Sequence, residues 1–230
     1  MLDFLGAHWF SGLLMLTPIL QAIAFLIETS SWLLRAQSTP ADVGLYVGRS
    51  NIYLYSSRMF TLVFTASLAF AIESGQPIHA IFTIIYATFI LSAVFHVGLM
   101  FDTFRSGAMQ VISGALLLPP RGRVGHTAGM HIVGTRLFWL TTATSIIFSI
   151  SLTAPILGAI LLPEFRLSIS YVGQIINFFG TIIILLFVDQ ILFKAIDARQ
   201  IDEVIMSYVA GRLVGFVLIG VVFLFIGLNI

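Results

Sequence analysis

Long apolar runs, each ended by a short cluster of polar, glycine or proline residues, recur six times along the chain. They predict helices over residues 9–34, 43–72, 78–101, 131–154, 167–193 and 206–229. A membrane-spanning helix needs about 20 mostly apolar residues, so every run is long enough to cross a bilayer. Six crossings with short connections use nearly all 230 residues. The expected fold is all-α, a polytopic bundle of six transmembrane helices that forms one integral membrane domain over residues 1–230. Residues 103–118 (TFRSGAMQVISGALLL) are too short and too glycine-broken to cross, and Pro119 and Pro120 stop any helix there. Residues 103–130 therefore read as an interfacial or re-entrant segment followed by a basic loop, RGRVGHTAGMH, which is either a plain flexible connection or a mobile flap carrying Arg121, Arg123 and His126. The first run has no basic flank before it and no small-residue cleavage site after it, and is expected to stay as a helix.

Composition narrows the classes. The chain is 59% hydrophobic and 9% charged with a mean hydropathy of +1.06, which leaves no room for a soluble domain. A net charge of +1 without a polybasic tail argues against nucleic acid as a partner. The absence of cysteine excludes disulfides, thiolate metal sites and thiol catalysis. His126 and His131 lack a third ligand at metal spacing, so no metal is assigned. No Walker-type GxxxxGK sequence, no HExxH and no paired serine and lysine motif is present, so no cofactor and no catalytic residue is assigned. Arg35, Arg105, Arg121, Arg123, Lys194 and Arg199 share one face of the bundle against Arg166 on the other, which by the positive-inside rule puts both termini outside. Trp9, Trp32 and Trp139 fall near span ends, where such rings either anchor at headgroups or pack.

The informative chemistry lies inside the apolar runs. Arg49, Arg58, Arg136 and Arg212, with Glu28 and Asp189, interrupt them. A charge at mid-bilayer costs about 2.5–3.5 kcal/mol on insertion scales, so such groups face a protein interior or a watery cavity. Arg49, Arg136 and Arg212 lie near enough to helix ends to snorkel, or else they ring a cavity. Arg58 follows the predicted start of its helix by about 22 Å at 1.5 Å per residue, too deep for its stem to reach water. Asn51, Tyr55, Arg58 and Thr65 share a face with it. Ser170, Gln174, Asn177 and Thr181 make a second polar stripe, and Thr135, Thr142, Ser145 and Ser149 a third. The stripes either converge on one lumen or act as interhelical glue. Glu28 either bridges to Arg58 or carries a proton, and Asp189 and Arg212 admit the same two readings. His96 reads as a packed polar residue.

Three neighbouring pairs of spans carry an acid on the first helix and a small-residue-plus-arginine sequence on the second. These are Glu28 with YVGR ending at Arg49, Asp102 with IVGTR ending at Arg136, and Asp189 with YVAGR ending at Arg212. The pattern suggests a parallel repeat of three helical hairpins; the alternative is frequent glycine together with snorkelling arginine.

The sequences IETSSWLLR (residues 27–35) and SNIYLYSSR (residues 50–58), with GTIIILLFVDQILFKAID (residues 180–197) and GRLVG (residues 211–215), resemble the opening and closing spans of the Amj family of alternate lipid II flippases. The middle of the chain matches only in hydropathy and in GALLLP (residues 114–119). The matching positions are Glu28, Thr29, Arg35, Arg58, Asp189, Asp197, Gly211 and Arg212, and Gln190 stands where the family pattern has proline. The resemblance implies a multi-pass protein of the bacterial plasma membrane. It would turn an undecaprenyl-diphosphate-linked cell-wall precursor, lipid II or a related lipid-linked glycan used in peptidoglycan biosynthesis, to the outer leaflet.

Guanidinium groups grip phosphate oxygens in bidentate fashion, so the expected ligand is a lipid-linked diphosphate glycan, reached from among the membrane lipids. Its expected binding residues are Arg58, Arg49, Arg212, Arg136, Arg35, Arg121 and Arg123, with Glu28 and Asp189 balancing or coupling charge. Two other classes fit the same residues: a membrane enzyme acting on a lipid phosphate, and a non-transporting scaffold for envelope synthesis.

Overall fold

The computed structural model describes residues 2–119 and 132–229. Eight α-helices account for nearly all of them: α1 (Leu2–Ala36), α2 (Val43–Glu73), α3 (Ile78–Met100), α4 (Asp102–Ala115), α5 (Arg136–Leu161), α6 (Arg166–Ile183), α7 (Asp189–Asp197) and α8 (Ile201–Leu228). A one-turn 3-10 segment, Pro163–Phe165, precedes α6, and a π-helical stretch, Ile184–Val188, joins α6 to α7 in one continuous rod. Among the described residues six stretches are long and apolar enough to cross a membrane, and the chain is a multi-pass membrane protein. At 14 residues α4 is about 21 Å long and stops short of a crossing.

The fourth span departs from its expected bounds. It begins at Arg136, where the Thr135 hydroxyl caps the helix by accepting from the Phe138 N–H at 3.1 Å. It then runs through Pro155 to Leu161. Proline removes one backbone donor and so frees the Ser151 carbonyl, and α6 lies against that carbonyl with Gly173. A Cβ on Gly173 would sit 2.6 Å from the Ser151 oxygen, so only glycine allows this approach. Neighbouring helices stabilise an intramembrane proline in this way.

The spans are grouped by packing into two sets of three. In the first, α1 packs on α2 and on α3; in the second, α5 packs on α6 and on α8; α3 and α8 form the seam between them. Since the spans alternate in direction, α5 runs opposite to α1, as α6–α7 does to α2 and α8 to α3. This is the packing order of an inverted repeat of three plus three helices. Corresponding connections also share a device. The α2–α3 turn closes with Gln76 N–H to Ala71 O and Gly75 N–H to Ile72 O, and the α7–α8 turn with Gln200 N–H to Ala195 O and Arg199 N–H to Ile196 O. Both are Schellman caps with a left-handed residue, Gly75 at φ +72 and Arg199 at φ +58. The three parallel hairpins suggested by the acid and arginine sequences are not the packing units, because the broad contacts of α3 are with α1 and α8 and not with α5.

Two apolar clusters hold the bundle. One contains Leu33, Leu34, Tyr46, Leu99, Leu192 and Val209; the other is aromatic, with Phe25 against Phe216 at 4.6 Å and Phe89 against Phe223 at 5.8 Å between ring centroids. Trp32 is buried in the first cluster and serves as packing, whereas Trp139 is 59% exposed. Arg105, expected as a loop charge, is buried instead. It pairs with Asp102 and donates to the Leu99 carbonyl at 3.0 Å, closing the end of α3.

Candidate functional site

A hollow of about 980 Å³ lies between the two sets of helices, bounded by α1, α2, α5, the α6–α7 rod and α8. Two polar stripes meet there as the sequence suggests. Asn51, Tyr55, Arg58 and Thr65 line it from α2, and Ser170, Gln174, Asn177 and Thr181 from α6. The third stripe does not reach it. Thr142, Ser145 and Ser149 are buried, with their hydroxyls on backbone carbonyls one turn back, and Thr142 also donates to Gly211 O of α8 at 3.1 Å. Those hydroxyls are glue. Gly211 and Gly215 complete the joint, since a Cβ on Gly211 would lie 2.5 Å from the Phe138 carbonyl and one on Gly215 2.6 Å from Ser145 Cβ.

Among the described residues, four arginines and three acids line the hollow, an excess of one positive charge when all are ionised. Arg212 is compensated. Its Nη2 donates to Glu28 Oε2 at 2.9 Å and its Nη1 to the Tyr208 hydroxyl at 3.3 Å, while the guanidinium lies 5.4 Å from the Phe216 ring centre. Glu28 therefore bridges to Arg212 and not to Arg58, because α8 and α1 meet at Phe25 and Phe216 just beside it. The Arg212 Nε has no hydrogen-bond partner.

Arg35 stands at one mouth of the hollow, 5% exposed. It ties α1 to α2 through Nε to the Ser50 hydroxyl at 2.8 Å and Nη2 to Asn51 Oδ1 at 2.6 Å, with its guanidinium 4.3 Å over Trp32. Asp189 lines the same mouth within electrostatic reach of Arg35, and its Oδ1 is buried without a hydrogen-bond partner. The π stretch is what puts Asp189 there. Regular α-helix takes about seven residues for two turns, yet on this rod Thr181 and Asp189, eight apart, both face the hollow. With one residue fewer over those two turns, Val188 would take that face; it is instead buried in the core at 1% exposure. π-Helical turns concentrate at functional sites.

Arg58 differs from the others. It is exposed to the hollow and has neither an ion-pair nor a hydrogen-bond partner among the described residues. It also divides α2 evenly, 15 residues from Val43 and 15 from Glu73, about 22 Å of helix on either side.

Two expected members lie elsewhere. Arg49 is outside the hollow because its position is turned about 200° from Val47 at 100° per residue, and Val47 and Asn51 face inward. Arg136 is exposed at the start of α5, with its guanidinium 5.8 Å from the Phe187 ring centre, away from the hollow. Arg121, Arg123, His126 and His131 lie outside the described residues. Arg166 and Glu73, which the sequence did not single out as site residues, line the mouth opposite Arg35.

His96 is fully buried. Its Nδ1 lies 2.7 Å from the Ser92 carbonyl, which can only accept, so Nδ1 carries the proton and Nε2 accepts from the Thr29 hydroxyl at 2.7 Å. The ring joins α1 to α3 as the packed polar residue expected. Among the described residues no three His, Asp or Glu side chains gather as a metal-binding group. No protein-family model, no curated protein and no solved structure matches the chain.

Proposed function

We propose that this protein is a flippase that moves an anionic lipid headgroup through the hollow between the two sets of helices. The observation that carries the reading is Arg58, a cation without a counter-charge, facing the hollow at mid-span. Such a charge is costly in a bilayer unless a ligand or water answers it, and transporters place substrate near the midplane between inverted repeats. A guanidinium with all its N–H groups free matches a phosphate or diphosphate. The hollow is of the size that takes a headgroup. Leu54 and Leu62 on its α2 wall and Leu185 in the π stretch of the α6–α7 rod give a hydrocarbon chain an apolar route to the bilayer. These features, with the resemblance to the Amj family, support a lipid-linked diphosphate glycan of the bacterial plasma membrane as cargo, moved from the inner to the outer leaflet. Outward movement of negative charge runs down an inside-negative potential and is favoured by about 2.3 kcal/mol per charge per 100 mV, so the potential can drive the step without ATP.

In this scheme Arg58 holds the diphosphate and Arg35 receives it at the mouth where the basic loop containing Arg121 and Arg123 is expected to collect it, with both termini outside. Glu28 and Arg212 fix α1 against α8, and Asp189 balances Arg35. Purified protein in liposomes should translocate a fluorescent polyprenyl-diphosphate sugar and leave it chemically intact. A cleaved or dephosphorylated product would favour a membrane enzyme instead. Equal rates for wild type and Arg58→Ala would remove the site assignment.

A further inference from the structure

Among the described residues, each mouth of the hollow carries one arginine and one acid, and in each case the two come from opposite sets of helices. At one end Arg35 belongs to the first set and Asp189 to the second; at the other Glu73 belongs to the first and Arg166 to the second. The placement follows from the antiparallel course of α2 and α6–α7. Glu73 is the last residue of α2 and Arg166 the first of α6, so these helix ends face the same mouth of the hollow from opposite walls. Glu73 and Arg166 are exposed, and neither has a hydrogen-bond or ion-pair partner among the described residues. Arg35 and Asp189 also form no ion pair with each other.

We propose that Glu73 and Arg166 are the gate of their mouth, pairing when the two sets of helices close there, and that Arg35 and Asp189 are its counterpart at the other end. The two pairs are positioning groups for transport and do not hold the cargo at mid-span. Opposite charges on facing helix ends attract once the gap narrows, and a solvent-exposed pair such as Glu73 with Arg166 is weak enough to part in each cycle. An inverted repeat supplies the geometry, since rocking one set against the other narrows one mouth as it widens the other. The purpose of the gate rests on the flippase reading, but the movement itself is measured without any cargo.

Because the chain has no cysteine, pairs can be introduced without a background. Glu73→Cys with Arg166→Cys should form a disulfide on oxidation in liposomes, which requires the Cα atoms to come within about 7 Å. In that cross-linked protein, a third cysteine at Thr65, on the hollow face of α2 toward Glu73, should react with a membrane-impermeant maleimide at least tenfold more slowly than before oxidation. One at Asn51, beside Arg35, should keep or raise its rate from the opposite side. All of these positions except Asn51 are free of cross-helix bonds, and Asn51→Ser serves as a stability control for it. Failure to cross-link, or a cross-linked protein labelled at Thr65→Cys as fast as the open one, overturns the gate. As a second arm, Glu73→Arg and Arg166→Glu should each slow transport several-fold and together restore it; additive loss in the double variant also overturns the proposal. If the disulfide and labelling pattern appear but no polyprenyl-diphosphate lipid moves, the gate stands and the cargo assignment falls.

Discussion

The Arg212 guanidinium and the Glu28 carboxylate, 184 residues apart in sequence, meet at 2.9 Å and join the last helix to the first. Arg212 is nearly enclosed, with 7% of its side chain exposed, and Glu28 keeps 26% open to the hollow. Breaking a buried pair from one side strands the other charge. Glu28→Gln or Arg212→Gln alone is expected to destabilise the protein toward the low end of about 3–5 kcal/mol, since Glu28 is partly solvated. The double substitution is expected to lose much less than the sum. Thermal unfolding in detergent of both single variants and the double closes this cycle, and strict additivity would show that the pair is not coupled.

Arg58 should behave in the opposite way. With no partner to strand, Arg58→Ala is expected to stay within about 0.5 kcal/mol of wild-type stability or to exceed it, while translocation falls at least tenfold. Arg58→Lys keeps the charge but loses the planar fork, and an intermediate rate is expected. The contrast between a stable, inactive Arg58 variant and an unstable Arg212 variant separates a ligand-binding arginine from a structural one.

The joint between α5 and α8 leaves no room for a methyl group at Gly211 or Gly215. Gly215→Ala is expected to cost about 1–3 kcal/mol as overpacking, and Gly211→Ala more, since backbone and not a flexible side chain stands in the way. Gly48, which has open space around its Cβ position, is the control: Gly48→Ala in the middle of a turn of α2 should be neutral or stabilising. Melting temperatures of the three variants test the ranking.

Deletions read out the π stretch. Removing Leu186 takes away the extra residue and lets the rod run as regular α-helix with Asp189 still toward the hollow, so near-native stability is expected. Removing Gln190 instead turns everything after it by about 100° and drives Leu192 and Ala195 out of the core. That variant is expected to fail in expression or to melt far lower.

Arg199 occupies the left-handed position of the α7–α8 turn at φ +58, where Gly75 serves the equivalent α2–α3 turn. A side chain there costs about 1–2 kcal/mol. Arg199→Gly is expected to recover part of that, offset by the freer unfolded chain, and to raise the melting temperature by a few degrees.

How much of this was legible in the sequence depended on the range of the interaction. The spans follow from runs of apolar residues, and the inward faces of α2 and α6 from polar positions at helical spacing, so the hollow and Arg58 were accessible. The same 100° per residue excludes Arg49 once Asn51 and Arg58 define the face. The partner of Glu28 was not legible, because nothing local distinguishes Arg58 from Arg212; only the Phe25–Phe216 contact decides it. The end of α5 was misplaced because Pro155 reads as a stop, while Gly173 eighteen residues later is what lets the helix continue. The hydroxyl stripe of α5 has the same periodicity as a lumen face, and the glycines facing it on α8 were the available sign that it was glue. The π stretch has no sequence signature in an all-apolar segment.

The pairing of Gly173 with the freed carbonyl at Pro155, repeated in the tight seats of Gly158 and Gly180, clamps α5 and α6 into one stiff plate. On the other side Arg35 rivets α1 to α2. Under the proposed gate, two such braced arms would set the distance between their tips the way calipers do, by a small angle at the α3–α8 seam that the arm length magnifies.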